Sequence, residues 1–449
     1  MEECIMENEK VFLAGFGMTD ITPLDSVPMA SYGDDMRRFS EGQFTPLEAR
    51  AIALTDENGD SLILATGDLS WCPSYLGSQI KEILEKDLGI PQDHIILSGT
   101  HTHASVSTGL KEVPSVAAYH PRYVNGMVEA VKLAMADRKP AEVYVGSAIS
   151  ERMNFVRRYI MDDGSLCGDN AYGTGTVLNG HETAADPELQ MMRIARTDAK
   201  DILVVNFQAH PHLEGKTKML SYQTVGAFRA QADERFGVHC LYWNGAAGNM
   251  NTGSRIKKET RTRDRDTWAR IMVDYAEKAM KHLYKVKTGP IKVADVVFSA
   301  KTNHNFDHMV EQAKDVQQYF RDGHTAHETA EYAWQYGINS YYHANRIIAN
   351  SQTEPTRDMY LCAFSFGDVG GVVLPYEMFD VTGMYIKRNS PLRKTFIVGY
   401  SWPAYCGYIP TEMGFQNGGY EADNCTFAPG TAEEMADQYL TLLGKMCEE

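Results

Sequence analysis

His94-Ile-Ile-Leu-Ser-Gly-Thr-His-Thr-His103 decides how this chain is read: a short apolar run passes through small polar residues into two histidines. An apolar run of this kind reads as a buried strand. Reactive side chains just beyond a strand end are what mixed α/β proteins gather at a sheet edge. Upstream, residues 76–88 carry Ile80, Ile83, Leu84 and Leu88 at helical spacing, closed by Gly89 and Pro91. Before that, strands at 49–54 and 61–66 flank Thr55-Asp-Glu-Asn-Gly-Asp60, whose Asn58-Gly59 is a hairpin signal. Residues 11–16 read as one more strand.

The same alternation continues downstream. An amphipathic helix is expected over 122–135, and strands over 189–195 and 202–208, the second running into Ala209-His-Pro-His212. A strand at 239–243 opens into Asn244-Gly-Ala-Ala-Gly-Asn249. A long helix over 264–284 and a strand over 291–299 follow. Residues 306–349 turn polar, aromatic and helical, with a break near Gly323, and read as a helical pair or a cap. Strands at 359–366 and 371–374, a helix over 376–387 and a last helix over 433–446, with Thr431 as N-cap, complete the chain. There is no internal repeat and no Pro/Ser/Gly linker. The expectation is one large mixed α/β domain over 1–449, with 306–349 as a helical insertion.

Composition narrows the function. The chain has 449 residues, 43 Lys and Arg against 59 Asp and Glu, and a net charge of −16. With no long basic run, nucleic acid is excluded as a partner. No apolar window approaches the roughly 20 residues of a membrane span, so stable membrane insertion is not expected. Residues 1–10 are acidic and polar and lack the features of a secretory signal, so a cytoplasmic protein is expected. The eight cysteines are scattered without CxxC, which disfavours a cysteine-based zinc knuckle and leaves free, mostly buried thiols.

The chemistry-bearing residues cluster at strand ends. If the extended conformation continues past Gly99, His101 and His103 point to one face. His210 and His212 end a second strand, and Pro211 biases His210 to extended geometry. Neutral imidazole is a common transition-metal ligand, and zinc held by imidazoles usually recruits a carboxylate. Glu377 follows the apolar run 371–374 and opens an apparent helix, where complementing the helix dipole is the competing explanation. The 244–249 turn either offers backbone N–H groups to an oxyanion or is a tight strand-to-helix connection. It is not a P-loop, because no GK[ST] follows. Gly15-Phe-Gly17 and Gly173-Thr-Gly175 lack the third glycine of a dinucleotide site. Tyr405-Cys-Gly-Tyr408 and Gly418-Gly-Tyr420-Glu are aromatic loops able to place phenols in a pocket.

Taken together these residues resemble the catalytic domain of the neutral/alkaline non-lysosomal ceramidase family. Gly15-Phe-Gly-Met-Thr-Asp20-Ile-Thr-Pro23, Pro46-Leu-Glu-Ala-Arg50, Gly67-Asp-Leu69 and Ser98-Gly-Thr-His-Thr-His103 occur in that family's order. So do Asp186-Pro-Glu188, Asn206-Phe-Gln-Ala-His-Pro211, Asn244–Asn249, Leu374-Pro-Tyr-Glu377 and Gly407-Tyr-Ile-Pro-Thr411. The likeness runs from Phe12 to Pro429, with no counterpart of the family's C-terminal β-sandwich. It implies a zinc ion (Zn2+) held by His101, His210, Glu377 and Tyr408. It also implies that His103 lies near the reacting amide, that Arg157 matches the arginine of an Asn-Arg motif with Val156 in place of the asparagine, and that Tyr420 belongs to the pocket. Asn251 stands where some accounts of the family put an important serine, which leaves a metal-activated water as nucleophile.

The activity implied is metal-dependent amide hydrolysis of the kind used in sphingolipid and lipid metabolism, on a small-molecule or lipid amide. His103 would be the general acid and, with a phenol or Arg157, would stabilise the oxyanion. The competing expectations are a zinc-dependent esterase or lactonase and a non-catalytic metal-containing binding protein.

Overall fold

A computed structural model describes residues 11–32, 36–169, 175–256, 258–405 and 407–448. Two sheets pack face to face, and each carries helices on its outer side. The nine-stranded sheet runs His239–Asn244, Ile202–Phe207, Glu188–Arg196, Lys139–Ile149, Leu13–Asp20, Glu48–Thr55, Ser61–Gly67, Ile95–Gly99, and Tyr284–Lys285 pairs with Lys139–Ile149 beside that row. The four-stranded sheet runs Ile291–Lys301, Thr356–Phe366, Val369–Val373, Lys394–Val398. Leu64, Ile96, Met192 and Trp243 of the first sheet share a core with Phe364, Phe366, Val373 and Phe396 of the second.

Helices Ser74–Leu88 and Pro114–Ala136 cover one part of the large sheet's other face, and Gln223–Phe236 and Arg265–Met280 cover another. Asp380–Asn389 and Thr431–Glu448 cover the small sheet. This layering explains the apolar runs in the sequence. Ile95–Gly99 and Ile202–Phe207 are buried along their whole length, because strands covered on both faces cannot alternate. The expected mixed α/β class is the one observed.

The large sheet coils strongly. Five of the six pairings between Ile95–Gly99 and Ile202–Phe207 are antiparallel, so along the row the two strands run in opposite directions. Six interstrand steps of about 20–25° add to a turn on the order of 120–150°. The turn brings His239–Asn244 against Ser61–Gly67, although six steps separate them in the row. Arg50 crosses that seam to donate to the Cys240 carbonyl at 2.6 Å, and the Phe16 and His239 rings stack at 4.6 Å. The coil delivers the ends of two distant strands to one place.

Four expectations change, the first being the helix expected over 122–135, which starts earlier, at Pro114. The insertion is not a helical pair: a 3-10 turn at Asp307–Met309 leads into three helices, Val310–Arg321, Ala326–Trp334 and Tyr341–Asn350, around a small core that includes Val316, Ile338 and Ile347. Gly323, at φ +103°, makes the anticipated break, and Thr325 with Glu328 closes a capping box that restarts the chain as a helix. The helix expected over 376–387 begins only at Asp380, and the helix expected over 264–284 ends at Met280. Lys139–Ile149 and Gln223–Phe236 were not anticipated at all. No helix of the described residues is long and apolar enough to cross a membrane. Among the described cysteines five are buried and free and Cys447 is exposed and free; Cys4 and Cys406 lie outside the described residues.

Candidate active site

The strand carrying the first histidines stops at Gly99, so the extended geometry expected through His103 is not what brings their rings together. Gly99 passes so close to Trp71 that a Cβ would lie 2.5 Å from its Cα. The chain then turns: His101 donates its backbone N–H to Leu69 and sits at φ +66°, a left-handed conformation that costs a non-glycine residue about 1–3 kcal/mol. Strain of this size marks a position over-determined by its surroundings. His101 Nδ1 lies 2.7 Å from the Ser70 carbonyl. A carbonyl only accepts, so Nδ1 carries the proton and Nε2 is a bare lone pair.

His210 is fixed by the same logic from another part of the chain. Its backbone N–H donates to Met250, and its Nδ1 lies 2.9 Å from both the Ala247 and Met250 carbonyls. Its Nε2 is therefore a lone pair too. The 244–249 turn leads into a short strand, Met250–Asn251, rather than a helix, and two of its N–H groups are used within the fold: Gly245 donates to Phe207 and Gly248 to Met378. The turn clamps His210 through the Ala247 carbonyl and presses on the backbone of Glu377. A Cβ on Gly248 would meet the Glu377 carbonyl at 2.4 Å, so glycine there lets the turn press against the backbone of Glu377.

Glu377 does not open a helix. It lies in the two-residue strand Glu377–Met378, paired in parallel with Tyr408–Ile409 so that Glu377 and Tyr408 are partners across the ladder. The helix-dipole explanation falls with the helix, because Asp380 occupies its first turn. Glu377 Oε2 stands 3.2 Å from His210 Nε2 and 3.6 Å from His101 Nε2, buried and without a hydrogen-bond donor. His103 joins them, its Nε2 3.2 Å from that of His101.

Burial holds the histidines neutral. It lowers the His101 pKa to about 3, and with neighbouring positive charge it holds His210 and His103 well below the ordinary range. Burial also raises the Glu377 carboxyl. Three lone pairs, on His101, His210 and Glu377, thus face one point. In the protein alone His103 Nε2 can donate to His101 Nε2 and one shared proton can join His210 to Glu377, whereas a divalent cation satisfies all three lone pairs at one point. The spacing also fits, since ligand atoms about 2.0–2.2 Å from a tetrahedral ion lie roughly 3.3–3.6 Å apart. The Nε2 or Nδ1 atoms of His101, His103 and His210 all fall within 4.8 Å of one another, so His103 borders the same point.

The remaining anticipated residues surround it. Arg157 is buried, donating to Glu421 Oε1 at 2.8 Å and to the Gly248 carbonyl at 2.8 Å. Its guanidinium carbon lies 5.4 Å from the Tyr408 ring centre and 5.9 Å from that of Tyr420. The two tyrosine rings are 5.5 Å apart. A cavity of about 610 Å³ opens here, within the usual range for small-molecule sites. His101, His103, Glu377, Tyr408 and Tyr420 line it, whereas Arg157 stands behind the phenols. Asn251 donates through Nδ2 to Asp169, and its Oδ1 is buried without a partner.

Two residues were missed. Tyr400 lies flat on His101, with ring centres 3.7 Å apart and planes 17° apart, and its hydroxyl is buried without a partner. His212 was noted only as half of a motif, yet its ring centre is 4.9 Å from that of His103. No local pattern marks Tyr400, whereas the spacing of His212 could have been followed further.

No family model matches the chain. Among solved structures it shares the fold of neutral ceramidase from Pseudomonas aeruginosa, with a TM-score of 0.74 at 15% sequence identity, over 98% of this chain and 75% of that one. A ceramidase complexed with C2 gives a TM-score of 0.73 at 15% identity, over 98% and 76%. The fold that the sequence motifs implied is the fold the chain has.

Proposed function

We propose that this chain is a zinc-dependent hydrolase that cleaves a carboxamide. The observation that carries the reading is the meeting of three buried lone pairs, from His101, His210 and Glu377, beside a cavity of about 610 Å³. The ceramidase fold supports the choice of an amide. A nitrogen and oxygen donor set with Tyr408 as fourth member suits zinc. Bound there, the ion supplies Lewis acidity toward a carbonyl oxygen and lowers the pKa of a water toward about 7.

The protein's own groups supply the rest. His103 starts neutral, and its Nδ1 is buried without a partner. It can accept a proton from the attacking water and return it to the leaving nitrogen, which an amide needs and an activated ester does not. Burial pushes the Tyr420 phenol up to about 12, so it stays an O–H donor on the cavity wall, facing the developing oxyanion. Arg157, behind it, adds positive charge. An oxyanion donor of this kind is typically worth roughly 3–4 kcal/mol. Asn251 offers no nucleophile.

The test is a panel of N-acyl amides, acyl esters and lactones, with and without chelator, alongside elemental analysis. His101→Ala and Glu377→Ala are expected to lose zinc and activity together. His103→Ala is expected to keep zinc and lose about 10²–10⁴-fold in kcat. Full zinc occupancy in His101→Ala would overturn the ligand set, and hydrolysis indifferent to chelator would overturn metal dependence.

A further inference from the structure

We propose that Glu421 is a positioning residue: it holds the Arg157 guanidinium against the rings of Tyr408 and Tyr420, where that charge serves the developing oxyanion. The inference rests on the hydrolase reading and adds to it a residue behind the cavity wall. Glu421 is 1% exposed, and its two oxygens meet two buried arginines. Arg157 donates through Nε to Oε1 at 2.8 Å, and Arg158 through Nη1 to Oε2 at 3.2 Å. Of the two, Arg157 is the one whose orientation depends on this carboxylate. Arg158 is also held by both oxygens of Glu182 and by the Gly414 carbonyl. The main chain of Arg157 is fixed, since its N–H donates to Asn249, but its guanidinium makes a single other hydrogen bond among the described residues, from Nη2 to the Gly248 carbonyl at 2.8 Å. One hydrogen bond leaves a planar fork free to swing about it, and a second fixes its plane.

Stability alone does not account for the carboxylate. A buried ion pair returns little net stability, because both ions lose their water. What it adds here is direction, and the local chain is shaped to deliver it. Glu421 follows Tyr420 in the one-turn helix Tyr420–Asp423, so one segment carries both the phenol and the group that aligns the cation beside it. Gly419, just before, sits at φ +90°, and a Cβ there would lie 3.2 Å from Arg158 Nη1. The far end of the helix is anchored independently: Asp423 accepts from Asn339 and Ser340, at 2.9 and 3.0 Å. Changing the Glu421 side chain therefore leaves that anchor in place and releases the guanidinium.

A double-mutant cycle on the full chain supplied with zinc tests this, using Glu421→Gln, Arg157→Gln and the two together. An amide side chain offers one accepting oxygen to two guanidinium groups, so one of them is let go. The readouts are kcat and KM on the amide of the panel turned over fastest, and calorimetric binding of hexylphosphonate, a tetrahedral anion shaped like the addition intermediate. Glu421→Gln is expected to lower kcat about tenfold or more with KM within about twofold, and to weaken hexylphosphonate by a similar factor. In the Arg157→Gln background the same change should cost less than about twofold in either readout. If Glu421→Gln does not fold, Glu421→Asp, which keeps the charge but falls short of Arg157, carries the cycle. Coupling to Arg157 in hexylphosphonate binding, without turnover of any amide, would sustain this inference and remove the hydrolase reading. Turnover with equal losses in both backgrounds would remove this inference and leave the hydrolase reading standing. So would a gain in kcat in Glu421→Gln, because the carboxylate would then screen the guanidinium rather than aim it. Neither binding nor turnover in the parent would remove both.

Discussion

Tyr400 shows what a single residue contributes that no motif announces. It and His101 both adopt positive φ, +57° and +66°, and their rings lie flat on each other. The stack fixes the plane of an imidazole whose Nε2 must point at the cation, while the Tyr400 hydroxyl is buried at the cost of an unmade hydrogen bond, about 1–3 kcal/mol. The ring and the hydroxyl can be separated. Tyr400→Phe should keep zinc affinity and hold or raise the melting temperature. Tyr400→Leu should weaken zinc by about 10–100-fold, the usual effect of losing a group that orients a ligand. Competition titration with a chromogenic chelator measures both, and equal weakening in the two variants would mean that the hydroxyl, not the stack, matters. The neighbourhood of His101, His210, Glu377 and Tyr408 was implied by the resemblance, whose motifs name those positions, and the structure places His101 and His210 beside Glu377 and pairs Glu377 with Tyr408. The conformations that aim them were not legible in the sequence, because φ at His101 is set by Gly67, Leu69 and Trp71 and not by its own sequence neighbours.

Among the elements, helix Asp380–Asn389 starts later than the sequence suggests, and its anchoring explains why the start matters. Local sequence favours a helix from Tyr376, but Glu377 is claimed by a ladder with Tyr408, thirty-one positions away, and by the turn at Gly248. Asp380 accepts from Asn249 at 2.8 Å, and Lys387 reaches Asp186 and Glu188 at 2.6 and 2.8 Å, with Lys394 on Glu188 at 2.9 Å. These bonds tie the helix after Glu377 to the large sheet. Burial raises the Glu188 carboxyl, but the two lysines outweigh it and bring its pKa from 4.5 down to about 2. A depressed acid stabilises the fold above its unfolded value, and that contribution is lost as pH falls from about 4.5 through 2, on the order of 3 kcal/mol at most. Glu188→Gln should lose stability at pH 7 and show a flatter acid limb over that window, read by urea unfolding at several pH values. An acid limb as steep as the parent's would place the sensitivity elsewhere.

At the scale of the whole molecule, most of the long strands were legible, Lys139–Ile149 excepted, and their arrangement was not. Burial on both faces writes itself into each apolar run, whereas the order of strands and the coil of the sheet depend on pairings between distant segments. The candidate cation site is a product of that coil, drawing together segments around 101, 210, 377 and 408 that end separate strands and loops of both sheets. Without a cation Glu377 Oε2 is buried without a hydrogen-bond partner beside two imidazole nitrogens, so a bound cation should act as a cross-link between these segments. Zinc that binds only the folded chain adds about 2.7 kcal/mol at a hundredfold excess over its Kd. For a chain of 449 residues this amounts to a rise on the order of 3 °C in melting temperature. Scanning calorimetry of chelator-treated protein titrated with zinc should show that rise in the parent, little of it in His101→Ala, and most of it in His103→Ala. A rise of the same size in His101→Ala would mean that zinc stabilises the fold from some other place. A rise lost equally in His103→Ala would make that imidazole a ligand and leave the proton transfer without its carrier.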